Sequence, residues 1–180
     1  MDISKIKEFI TSWVARIPLS YFNDPDPVVS VLRLSGVIGQ VGPGRSGLTL
    51  DGLEKSIERA FSGKRVKTVA LVINSPGGSP VQSAQIARRI RELADEKDIP
   101  VVAFTEDVAA SGGYWLACAA DEIFADANSI IGSIGVVSAG FGFTKAIERL
   151  GVERRVHTMG KRKGMLDPFM PEVPEDIARL

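Results

Sequence analysis

Two glycine turns carry the residues best suited to chemistry: Asn74-Ser75-Pro76-Gly77-Gly78 and Ala109-Ala110-Ser111-Gly112-Gly113-Tyr114. Glycines at such turns let main-chain N–H groups face a bound group with no side chain in the way. Ser111 opens a helical pattern, where unsatisfied amides and the helix dipole favour negative charge. An alkoxide, or the oxyanion of an acyl intermediate, is stabilised at such a place. The N–H groups of Gly78 and Gly112 can converge on one oxygen beside the serine hydroxyl. Plainer readings stand next to these. Ser111 is then a helix N-cap and nothing else, and Gly77-Gly78 is a tight turn or a phosphate cradle. The spacing is not GxxxxGK[ST], which argues against a P-loop.

A serine is a weak nucleophile without a base. The single histidine, His157, has no carboxylate beside it in sequence. Lysine bases are the known alternative, and Lys145, Lys161 and Lys163 follow Ser111. Lys145 lies on an amphipathic helical pattern and reads as surface. Lys161-Arg162-Lys163 follows Gly160 at the exit of an expected strand. A lysine acting as base must be neutral, which burial and neighbouring cations favour. The plain reading of this cluster is a solvated basic turn. Cys118 falls on the helix that Ser111 opens and reads as core packing.

Composition narrows the classes. The chain has 180 residues, 22 basic against 22 acidic, with 44% hydrophobic residues. That is enough apolar material for a full core in one domain. A formal net charge of zero argues against nucleic-acid binding. One Cys and one His build neither a disulfide nor an ordinary zinc site, so no metal or cofactor is expected.

The elements that must position the turns alternate. Strands are expected at Val28–Ile38, Val66–Asn74, Pro100–Thr105, Glu122–Ala125, Gly135–Ser138 and Glu153–Thr158. Helices are expected at Asp51–Phe61, Val81–Ala94, Ser111–Ala120 and Thr144–Leu150. Val66–Asn74 is nearly continuous apolar, as in a strand covered on both faces, and Gly39–Gly47 reads as a loop. Strand and helix in series mean right-handed crossovers and an α/β fold with a mostly parallel sheet.

Residues 1–27 form an N-terminal amphipathic helix and linker in this reading, and residues 28–180 the main domain. Within Ile3–Phe22, Ile6, Phe9, Ile10, Trp13, Val14 and Ile17 recur at helical spacing, interrupted by Lys5, Lys7, Glu8 and Arg16. No run reaches the ~20 apolar residues of a spanning helix, and no secretory leader is visible. The expectation is a cytoplasmic protein whose residues 3–22 pack on protein or lie on a membrane surface. Pro174–Leu180 looks like the first turns of a helix, so the domain is expected to be C-terminally incomplete.

Four motifs occur in order: Leu71-Val72-Ile73-Asn74-Ser75-Pro76-Gly77-Gly78, Ala109–Tyr114, Ile131-Gly132-Ser133-Ile134-Gly135-Val136, and Gly160-Lys161-Arg162-Lys163 followed by Asp167-Pro168-Phe169. Together they resemble the signal peptide peptidase A (protease IV) family, from about Val28 to Leu180. The resemblance implies a ClpP/crotonase-like fold and a serine peptidase with a Ser–Lys dyad. It implies Ser111 as nucleophile, Lys163 rather than Lys161 as general base, Ser133 as the group orienting that lysine, and Gly78 and Gly112 as oxyanion-hole donors. It further implies peptide substrates such as signal-peptide remnants and self-association into a ring-like homo-oligomer, with the dyad completed within or between chains. The family's usual N-terminal transmembrane anchor has no counterpart in this sequence. Two other classes share enough to be weighed: an acyl-CoA enzyme of the crotonase type and an inactive peptide-binding scaffold.

Overall fold

A computed structural model describes residues 26–42, 45–160 and 162–180. The N-terminal helix expected over Ile3–Phe22 lies outside the described residues, as does Lys161. The chain divides into two units, Met1–Gly135 and Val136–Leu180.

The first unit is built on a parallel sheet. Its strands are β1 (Val28–Ser35), β4 (Val66–Ser75), β5 (Val101–Ala110) and β6 (Glu122–Ala125), adjacent in that order, with β7 (Ile130–Gly132) also pairing with β5. Successive strands are linked by helices, as parallel pairing requires. Helix α1 (Leu50–Phe61) joins β1 to β4, α2 (Pro80–Lys97) joins β4 to β5, and α3 (Gly112–Ala117) follows β5. A short antiparallel pair, β2 (Gln40–Gly42) with β3 (Arg45–Ser46), stands where the glycine-rich sequence suggested a loop. It is seated by Leu48 N–H donating to the Val37 carbonyl at 2.9 Å and Gly39 N–H to that of Leu48 at 2.8 Å.

Local signals start and stop the helices. Thr49 Oγ1 accepts from Gly52 N–H at 3.2 Å and begins α1. Ser79 caps α2, with Pro80 in its first turn, where a missing N–H costs nothing. Asp98 ends α2 in the left-handed conformation, φ 51°.

The core lies between the sheet and these helices. Leu32 and Leu34 of β1, Val69, Leu71 and Ile73 of β4, and Val101 and Ala103 of β5 alternate inward and are buried. They meet Ile57 and Phe61 of α1, Ile86 and Ile90 of α2 and Leu116 of α3. The opposite face of the sheet is covered in part at β4, where Ala70 is buried and Val72 half-buried. Within this unit it carries Val29, Val31, Phe104 and Phe124 in the open, the two rings stacked at 5.4 Å between centroids.

Two strand expectations fail, and one strand is unexpected. Among the described residues, Gly135–Ser138 and Glu153–Thr158 are not in strands, while Ile130–Gly132 is. A strand needs a partner with open hydrogen-bonding groups. The edge of β5 at Val108–Ala110 offers one to Ile130–Gly132, which short apolar runs alone cannot reveal.

The second unit contains α4 (Thr144–Arg149) and α5 (Pro174–Ile177). A knot around Phe169 organises it. Phe143 N–H donates to the Pro168 carbonyl at 2.6 Å, and the Phe143 and Phe169 rings stack at 5.4 Å. Arg154 lies 5.0 Å from the centre of the Phe169 ring and pairs with Asp167 at 2.5 Å. The Asp167 carboxyl also accepts from Phe169 N–H at 3.0 Å. That hydrogen bond, followed by Arg154, holds it below the usual carboxylate range.

Candidate active site

The two glycine turns leave the carboxyl ends of neighbouring strands β4 and β5, the end of a parallel sheet where ligands gather. In the first turn Gly77 and Gly78 both have positive φ, 95° and 148°. Ile38 pins the turn: its N–H donates to the Gly77 carbonyl at 2.9 Å, and its carbonyl accepts from Ser79 N–H at 2.8 Å. That pattern uses the groups on either side of Gly78 and turns the N–H of Gly78 itself away from Ile38. The neighbouring amide is occupied, since Gly77 N–H donates to the buried Ser75 Oγ at 3.2 Å. A side chain at Gly78 would run into the Ile38 carbonyl.

The second turn backs directly onto the first. A Cβ on Gly77 would lie 2.7 Å from the Ala110 carbonyl oxygen, 2.7 Å from Gly112 N and 2.9 Å from Ser111 Cβ. Gly112 fits against Ser83 Oγ and Gly113 against the Ser75 carbonyl, with no room for a side chain at either. Glycine at 77 is therefore what lets the two turns touch, while Gly112 and Gly113 let the second turn sit against α2 and the end of β4. Gly112 begins α3, so its N–H is one of the amides a helix leaves without an internal partner.

Ser111 does not cap α3. Its side chain makes no capping hydrogen bond, and its backbone sits at φ 52°, ψ −119°. This is a sparsely populated region for a residue with a side chain. Nucleophile turns between a strand and a helix hold a serine in a strained conformation of this kind. Two hydrogen bonds fix the conformation: Ser111 N–H donates to the Gly132 carbonyl at 2.7 Å, and the Ser111 carbonyl accepts from Trp115 N–H at 3.0 Å. The first brings the residue after Gly132, the exposed Ser133 (φ 51°), beside the turn.

Ser111, Gly78, Gly112 and the Gly132-Ser133 segment thus come together in the first unit. Lys163 belongs to the second unit, in a turn where its N–H donates to the Gly160 carbonyl at 3.3 Å, and its side chain is exposed. His157 is also exposed there. Cys118, expected in the core, is exposed one turn beyond Trp115; the small residues Ala117 and Ala119 take the buried positions instead. Among the described residues, no cluster of His, Cys, Asp or Glu is arranged to hold a metal ion.

Sequence reading missed the polar residues behind the turns. Asn74 Nδ2 donates to Asp107 Oδ2 at 2.8 Å, and Arg33 pairs with Glu106 at 2.7 Å. The signal was present: Glu106-Asp107 interrupts an otherwise apolar strand.

Residues 93–177 match the model of peptidase family S49. A putative signal peptide peptidase SppA of Enterococcus faecium is 33% identical over 141 residues, covering 76% of this chain and 41% of that protein. The chain belongs to peptidase family S49. The S49 match begins near the end of α2 and takes in the Ser111 turn, Ser133 and Lys163.

Higher identity is found with the Na(+)/H(+) antiporter NhaA of Brucella melitensis: 53% over 160 residues, covering 88% of this chain but only 22% of that protein. Among the described residues no helix is long and apolar enough to cross a membrane. This S49 chain therefore spans between about a fifth and two fifths of the length of these curated relatives. In three dimensions it resembles a mutant of the 1510-N membrane-bound stomatin-specific protease, with TM-score 0.51 and 20% identity over 66% of this chain and 53% of that one. The parallel α/β sheet is the ClpP/crotonase-like fold expected of the S49 family.

Proposed function

We propose that this chain supplies the catalytic turns of a serine endopeptidase that works through a Ser–Lys dyad and an acyl-enzyme. The observation that carries the reading is the strained, uncapped Ser111 held against the Gly77-Gly78 turn. Lys163 takes the Ser111 proton as Oγ attacks the scissile carbonyl. The N–H groups of Gly78 and Gly112 receive the oxyanion, and a donor of this kind accounts for about 10²–10³ in rate. Lys163 returns the proton to the leaving amine. Water then attacks the acyl ester, with Lys163 as base again, and Ser111 is released. Ser133 orients the lysine. The sequence needs no metal or cofactor.

The substrate is an extended peptide with small or apolar side chains near the cleaved bond, such as a signal-peptide remnant. Lys163 reaches Ser111 within one chain or from a neighbour in a ring-like homo-oligomer. The protein works in the cytoplasm, with residues 3–22 as its contact with protein or with a membrane surface.

The test is turnover of a fluorogenic peptide library by the wild type, Ser111→Ala and Lys163→Ala. Each substitution should cost about 10⁴-fold or more in kcat. Peptidase activity at wild-type level in either variant would remove the dyad.

A further inference from the structure

β5 carries an insertion relative to its neighbour. Ile73 of β4 pairs with Thr105, but Ser75 pairs with Ala109, so β5 advances four residues while β4 advances two. Glu106, Asp107 and Val108 stand opposite the single residue Asn74. The insertion is an even number, so the alternation of faces survives, and Thr105 and Ala109 both point into the core. Its consequence is positional. Without it Asp107 would face Ser75, and the residue reaching Gly77 would be Ala109 instead of Ser111.

The bulge is tied from three directions. Asn74 Nδ2 donates to Asp107 Oδ2 at 2.8 Å. Arg33 Nη1 reaches the two Glu106 carboxylate oxygens at 2.7 and 2.9 Å. Ser129 Oγ donates to the Glu106 carbonyl at 2.6 Å. The bulge is also where β5 changes partner: β6 pairs with Val102–Thr105, and β7 with Val108–Ala110. Bulges often re-aim side chains beside functional sites. Here the strand that feeds Gly78 and the strand that feeds Ser111 are joined, just before their turns, by one side-chain hydrogen bond.

We propose that Asn74 and Asp107 are positioning residues, whose hydrogen bond holds the register that sets Ser111 against the Gly77-Gly78 turn. This rests on the reading of Ser111 as the nucleophile. The bond is solvent-exposed, and exposed polar contacts add little to global stability. A purely structural role therefore predicts almost no effect of its loss. A positioning role predicts a loss of rate, because small misplacements of reacting groups are costly.

The experiment compares wild type, Asp107→Ala and Asp107→Asn in the full chain. Three quantities are read: kcat and KM for a fluorogenic peptide, the thermal midpoint, and amide hydrogen exchange at Ser111, whose N–H donates to Gly132. Asp107→Ala is expected to lower kcat by about 10–10²-fold with KM and the midpoint nearly unchanged, and to speed Ser111 exchange about tenfold. Asp107→Asn keeps an oxygen that accepts from Asn74 and should restore most of both. Wild-type kcat and Ser111 exchange in Asp107→Ala would overturn the proposal. So would a loss of kcat that tracks the thermal midpoint and is not rescued by Asp107→Asn. If the wild type cleaves no peptide, the nucleophile reading fails. Ser111 exchange then decides the positioning claim by itself, with faster exchange in Asp107→Ala supporting it and unchanged exchange overturning it.

Discussion

The Ser111 N–H donates to the carbonyl of Gly132 at 2.7 Å. This bond welds the start of the small-residue helix to the end of β7, and with it places Ser133 next to the strained serine. The sequence separates these residues by α3, β6 and a turn, and only the pairing of β7 with the outer end of β5 reunites them.

Ser133→Ala follows from that relationship. Ser133 is exposed, so its hydroxyl contributes little to stability, while an orienting role makes it matter to rate. The expected result is a kcat lowered by about 10–10²-fold with the thermal midpoint within about 2 °C of wild type. Steady-state kinetics beside a thermal melt checks it.

Gly77→Ala tests the contact of the two turns. The added methyl would sit at φ 95° and within 2.7 Å of both the Ala110 carbonyl and Gly112 N. Both backbones must part to admit it. A destabilisation of about 1–3 kcal/mol is expected, with peptidase activity lost more steeply than folded protein. Chemical denaturation and kinetics on the same preparation separate the two.

The sheet's own electrostatics predict an acid response. Asp121 accepts from Val101 N–H at 2.8 Å and from Arg91 at 2.9 Å. The Val101 hydrogen bond first, and Arg91 after it, hold its carboxyl below the usual range. A depressed folded-state value means that the unfolded chain binds the proton more readily. The contribution to stability is complete above the unfolded value, about 3.9, and disappears as pH falls through the folded one. Asp121→Asn should therefore lower the thermal midpoint at neutral pH and flatten its fall below about pH 4. Melts between neutral and acid pH measure this.

Much of this arrangement is legible in the sequence, for identifiable reasons. β4 announces itself by a nearly continuous apolar run, and α2 because its apolar residues keep one period over many positions. The turns announce themselves because only glycine fits where Gly78 meets Ile38. β7 does not, because Ile130-Ile131-Gly132 is too short to carry a period and owes its state to the free edge of β5. The capping alternative for Ser111 is a fair reading of a serine before a helix, and its backbone angles together with the missing capping hydrogen bond exclude it. The Asn74–Asp107 bond depends on a two-residue slip between strands, which no local pattern encodes.

Intact-protein mass spectrometry after treatment with a serine-directed acylating or phosphonylating probe tests the central claim most directly. The account predicts a single adduct, mapped to Ser111 by peptide sequencing, absent in Ser111→Ala and strongly slowed in Lys163→Ala. An unmodified wild-type chain, or an adduct that forms at the same rate without Lys163, would contradict it.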